Sequence, residues 1–173
     1  MRFSISSVLL GAASVANALI SPGQLTRSIN DLVDRVEDLI KPAGQLSIAN
    51  APQLILGDVT SVTADIGGSL SGTAKGTFKG KDGDQIVASV KKLSNTFSDL
   101  LDKIFDKADI LGDIPFVGAP IRIAIALTKR AFQDFTGSII GTLSGQQAND
   151  ARSSVQGVDG KFTRTITITT TEN

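Results

Sequence analysis

Apolar residues recur along this chain at steps of three and four, the period of a buried helix face, in five successive stretches. The first carries Leu25, Ile29, Leu32, Val33, Val36, Leu39 and Ile40 on one side, with Asp31, Asp34, Arg35 and Asp38 on the other. Ser21, Pro22 and Gln24 open it with a capping box and a proline at the first helical position. Lys41-Pro42 predicts its end, because a proline ring disfavours a helical residue before it. A second helix is expected from Ser47 or Asn50, with Pro52 in its first turn and a stripe at Ile55, Val59, Val62, Ile66 and Leu70. Its β-branched residues suit a strand, but a period of two cannot produce steps of 4-3-4-4.

Residues 72–83 read as a loop dominated by Gly and Lys. Gly76 to Lys81 superficially suggests a phosphate-binding turn. The glycines are one residue too close, however, Asp82 stands where Ser or Thr belongs, and no strand precedes. In the third helix Ile86, Val90, Leu93, Phe97, Leu100 and Ile104 step by 4-3-4-3-4, widened by Val87, Leu101, Phe105 and Ala108, with Asp82 or Asp84 as the expected cap. A seam of this kind indicates helices packed at a small crossing angle. The apolar, Pro- and Gly-broken stretch 110–120 stops it. A fourth helix is predicted from Pro120 to about Leu143, with Ile121, Ile125, Thr128, Phe132, Phe135, Ile139 and Leu143 on one face. Residues 121–127 are apolar nearly all round, broken by Arg122, which predicts a central place in a bundle. The fifth stripe is Ala148, Ala151, Val155, Val158 and Phe162. Beyond it Thr and Ile alternate; helix is expected to Phe162 and frayed or extended chain after that, since a lone strand has no partner.

The chain begins with a positive Met1-Arg2, an apolar run over 5–15 and the small-x-small string Ala16-Asn17-Ala18. These are the three regions of a secretory signal peptide, with cleavage expected after Ala18. The expectation is therefore an all-α protein: a signal peptide at 1–18, then a single antiparallel bundle of about five helices over 19–173. It has a Gly/Lys loop near 72–83 and a Thr-rich tail at 163–173.

The pattern resembles that of the fungal cell-wall galactomannoproteins, also called hydrophobic surface-binding proteins. The residues that carry the resemblance are Ile86-x3-Val90-x2-Leu93-x6-Leu100, Phe105 to Ala108, Val117-Gly-Ala-Pro-Ile121, Leu127-x4-Phe132-x2-Phe135, Gln147-Ala148 and Val158-Asp159-x2-Phe162. Leu25 and Ile29 of the first helix also fit, so the resemblance covers nearly all of the chain after the leader. It implies a secreted helical bundle that associates with cell wall or hydrophobic surfaces, with fatty acids held between the helices in some members. The loop at 72–83 and the Thr run at 163–171 depart from the family pattern.

Composition sharpens this. The chain has no His, Cys, Trp or Tyr. The usual activated nucleophiles and soft metal ligands cannot be assembled from what remains, so no enzyme activity, catalytic residue, metal site or cofactor is expected. Asp82-Gly-Asp84 resembles the start of a calcium loop, yet Leu93 stands where the closing Glu belongs. The 17 basic and 17 acidic residues balance, which argues against nucleic acid or an acidic membrane as partner. No stretch is long enough to be a transmembrane span. Phe is the one aromatic, and it concentrates where the helical signal is strongest. Phe97, Leu101, Phe105, Phe116, Ile125, Phe132, Phe135 and Ile139 are the candidate lining of an acyl-chain site, with packed core as the alternative. The expected partners are a fatty acid or other lipid, and cell-wall polysaccharide or a hydrophobic surface. The competing reading is a structural wall component or host-directed protein with a dry core.

Overall fold

The computed structural model describes residues 20–69, 76–107 and 118–168. The leader expected at 1–18, with its expected cleavage point, lies outside them. Among the described residues five helices follow one another. They are α1 (Pro22–Gly44), α2 (Thr60–Ser69, entered through a π-helical segment Gln53–Val59), α3 (Gly80–Phe105), α4 (Gly118–Ile140) and α5 (Gly145–Ile168). Among the described residues the one extended contact is an isolated bridge between Phe78 and Leu143.

Helix α1 opens as its sequence predicts: Ser21 Oγ accepts from the Gln24 N–H at 3.2 Å, and Gln24 Oε1 accepts from the Ser21 N–H at 3.0 Å. It continues past the predicted stop at Lys41-Pro42 to Gly44. Pro42 forfeits one backbone hydrogen bond there, but the extra turn buries Ala43 and carries the chain to Leu46, also buried.

The second stretch is helical and buries Ala51, Leu54, Ile55, Val59, Val62 and Ile66; Leu70 lies outside the described residues. Its entrance winds as a π-helix, whose hydrogen bonds span five residues. The Thr60 hydroxyl donates to the Ile55 carbonyl, five positions back. A four-residue step from Ile55 to Val59 fits either winding, so the spacing did not reveal it.

Neither Asp82 nor Asp84 caps α3. The helix starts earlier, at Gly80, because the chain before it is pinned: the Phe78 N–H donates to the Thr142 carbonyl at 2.7 Å. The predicted loop therefore shrinks, among the described residues, to 76–79. Helix α4 starts at Gly118 with Pro120 in its first turn and stops at Ile140, and Leu143 is buried beyond its end. It is not central: Ile123 and Leu127 are 60% and 53% exposed. Helix α5 starts at Gly145, whose φ of 59° suits glycine, and runs past Phe162 to Ile168. As far as Ile168 the Thr run is helical, and the hydroxyls of Thr163, Thr165 and Thr167 each donate to the carbonyl four residues back. Thr165 is buried, and Ile166 packs against the core.

Consecutive helices run in opposite directions, yet two of the main packing seams join parallel helices. Glu37 pairs with Lys92 at 3.3 Å, and Gly44 lies beside Lys103 one level further along, so α1 and α3 are parallel. Asp84 accepts from Gln147 at 2.6 Å and Asp102 from Lys161 at 2.5 Å, so α3 and α5 are parallel too. Gly83 leaves the room that the Gln147 amide occupies at this crossing. By contrast α4 meets α5 head to tail, through Lys129 with Asp159 (3.3 Å) and with Thr163 (2.9 Å). The result is two layers. Helices α1, α3 and α5 lie side by side with α3 in the middle, and α2 and α4 cover them.

Candidate functional site

The core centre lies where the two layers face each other. Helices α3, α4 and α5 each deliver one phenyl ring to it. Phe97 and Phe132 meet edge to face with centroids 4.9 Å apart, and Phe162 leans on both at 5.9 and 5.8 Å. Each such contact adds about 0.5–1.5 kcal/mol beyond burial. Beside the rings Leu100, Leu101 and Ile104 of α3, Ile125 and Thr128 of α4 and Val59 at the head of α2 close around a void of about 10 Å³. That is at most one water's space, in walls with almost nothing to hold a water. Sites for small organic ligands are larger, about 300–1,000 Å³. In this conformation the centre is filled by its own side chains.

One polar group interrupts the lining. Thr128, 2% exposed, places its Oγ1 2.6 Å from Thr63 Oγ1 on α2 and 2.9 Å from the Ala124 carbonyl. Thr63 in turn reaches the Val59 carbonyl at 2.9 Å. Two hydroxyl protons can make only two of these three contacts at once, so when one threonine donates to the other, its own carbonyl contact lacks a proton. The other buried threonines with a hydrogen bond, Thr96, Thr136, Thr142 and Thr165, bond back onto their own helix or its end.

The candidate residues separate into four groups. Phe97, Leu101 and Ile125 line the void, and Phe132 backs it through the ring cluster. Phe135 and Ile139 are buried on α4 beyond Phe132 but do not line this void. Phe105 leaves the centre altogether: it is half-buried, and the Arg164 guanidinium lies 3.3 Å over its ring. Its position four residues after Leu101 looked equivalent, but the side of α3 it occupies is the one turned to α5. Phe116 falls outside the described residues. Phe162, Val59, Leu100, Ile104 and Thr128 were not among the candidates. All sit on the predicted stripes, and what singles them out is the arrangement of the helices, which spacing alone does not contain.

A second, open cleft of about 330 Å³ runs between α1 and α2, past Ser28, Asp31 and Ala64, and the Arg35–Asp65 ion pair bridges it. Its walls are polar, and they suit water better than an acyl chain. Among the described residues no group of three or more His, Cys, Asp or Glu is placed to hold a metal ion, and no helix is long and apolar enough to cross a membrane.

No protein-family model matches the sequence, and no curated protein is significantly similar to it. The fold, in contrast, matches solved structures. A crystal structure of Afmp4p in complex with palmitic acid superposes with a TM-score of 0.78 at 13% identity, over 86% of this chain and 99% of that one. Ligand-binding domain 2 of the Penicillium marneffei MP1 protein, complexed with multiple arachidonic acids, gives a TM-score of 0.65 at 15% identity, over 89% and 97% of the two chains. At these identities the likeness establishes a shared helical bundle.

Proposed function

We propose that this chain is an exported, non-catalytic protein of the fungal mannoprotein type that takes a fatty-acid chain into its bundle centre. The observation that carries the reading is the make-up of that centre. Seven of its eight lining side chains are apolar, on a fold shared with proteins seen holding palmitic and arachidonic acid. Phe97, Leu101, Ile125 and Phe132 are the proposed contacts, with Phe135 and Ile139 continuing the path along α4. A void of about 10 Å³ admits no acyl chain, so uptake requires the two layers to part. The leader at 1–18 supports export.

The test is titration of delipidated secreted protein with palmitic acid. At a free concentration one hundred times Kd, binding adds about 2.7 kcal/mol to stability, read as a rise in Tm. Native mass spectrometry should show the protein carrying whole fatty acids. An unmoved Tm with no bound mass rejects the reading.

Association with wall or hydrophobic surfaces is a second reading, favoured by the outer face of α4. Ile123 and Leu127 stand there one turn apart beside exposed Ala119, Pro120 and Ala126. Adsorption to alkane droplets tests it, and unchanged partitioning against a polar-surfaced control protein counts against it.

A further inference from the structure

We propose that Arg164, on the seam between α3 and α5, holds the carboxylate of a bound fatty acid while the chain passes inward beside Phe105. The inference rests on the lipid-binding reading and adds to it where the charged end sits and which residue sets the preference for an acid.

Three observations meet at this corner. First, its charge is incomplete. Asp102 of α3 and Lys161 of α5 pair at 2.5 Å, whereas the Arg164 guanidinium, one turn beyond Lys161, lies over the Phe105 ring and meets no carboxylate among the described residues. Arg164 thus has no ion-pair partner among the described residues, and a carboxylate can supply one. Second, the cation is accessible and its present partner is replaceable. Arg164 is exposed and Phe105 half-buried, and a stacked ring is a weaker partner for guanidinium than a two-oxygen anion that accepts its paired N–H donors. Third, the corner adjoins the centre. Phe105 follows Leu101 by one turn on α3, Leu101 lines the void, and Arg164 reaches the Phe105 ring from α5.

The centre itself is a poor place for the charge. Its one polar group is Thr128, with Thr63 behind it, and neither brings a positive charge to offset desolvation of a carboxylate. A carboxylate at the Arg164 rim stays partly hydrated and paired, and the tail alone enters the dry interior. Uptake then exchanges one contact for another: guanidinium leaves the Phe105 ring for the carboxylate, and the ring swings from the seam.

The experiment compares palmitate with 1-hexadecanol, a chain of the same length without the charge, on delipidated wild type and Arg164→Gln. Arg164 is exposed, so circular dichroism should show the variant folded. Palmitate affinity is expected to fall on the order of tenfold, the scale of one charge-assisted hydrogen-bonded contact, with hexadecanol unchanged. An equal fall for both ligands, or for neither, overturns the assignment while leaving lipid binding intact. Acetate, the charge without the chain, should not displace palmitate; displacement by acetate also overturns it. Wild type that binds neither long-chain ligand rejects the lipid-binding reading and this site with it.

Discussion

Helices α3 and α2 bury apolar stripes against the same centre, but they are built differently. Helix α3 runs 26 residues without a break and has a parallel neighbour on either side, with Gln147 tied across its first turn. Helix α2 has ten residues, is entered through a π-helical segment and carries Gly67 and Gly68 near its end. Gly in a helix interior costs about 0.5–1 kcal/mol relative to Ala, and π-windings are rare outside places where a helix has to yield. The contrast separates a stiff floor, α1–α3–α5, from a softer wall made by α2 and α4. If the layers part for a ligand, the wall is the side expected to move.

The largest expected effect tests the floor. Phe97→Ala removes one of three mutually contacting rings, the one supplied by α3, and should cost about 3–5 kcal/mol in urea unfolding followed by circular dichroism. A loss below about 1 kcal/mol would show that the ring cluster is not the structural centre. Ile66→Ala, equally buried but on α2, should cost about 2–4 kcal/mol globally. Its signature is local: amide exchange in 53–69 should accelerate well before that of α3. Uniform acceleration through both helices would erase the distinction between floor and wall.

Smaller effects sharpen it. Ser21→Ala removes the capping box of α1 and should cost about 1 kcal/mol, seen as a lower urea midpoint. Thr128→Val breaks the hydroxyl contact that joins α2 to α4 and should cost about 1 kcal/mol, with faster exchange confined to the wall. Exchange spreading to α1 would mean the contact serves the whole bundle. Leu127→Asp, on the outer face of α4, should change stability by less than about 0.5 kcal/mol while lowering adsorption to alkane droplets. Adsorption that does not fall would remove this face from any role in surface association.

Most of the fold was legible because its signals are local. The stripes of α1, α3 and α4 repeat over many turns, and Ser21, Pro22 and Pro120 mark their starts. What spacing could not supply was a competition between local preference and tertiary burial. Pro42 lost to the burial of Ala43 and Leu46, and the strand-like alternation after Phe162 lost to threonines that satisfy themselves on their own helix. The make-up of the bundle centre was legible in part for the same reason. Periodicity puts Phe97, Leu101, Ile125 and Phe132 there, since any stripe points to a centre. That Phe105 turns to Arg164 and Phe162 joins the ring cluster depends on the parallel pairing of α3 with α5. That pairing is written in Gly83, Gln147 and the Asp102–Lys161 contact, residues more than fifty positions apart.

The same pairing puts the helices on a timetable. Helix α3 is the middle of the floor, and the flank it turns to α5 stays bare until α5 has been synthesised. A ribosome that has finished α4 therefore presents a chain whose best helix still lacks the partners of Phe105 and Asp102, and non-local contacts of this kind form late. The helix that locks the floor arrives last, so the seam between α3 and α5 closes only once α5 has emerged.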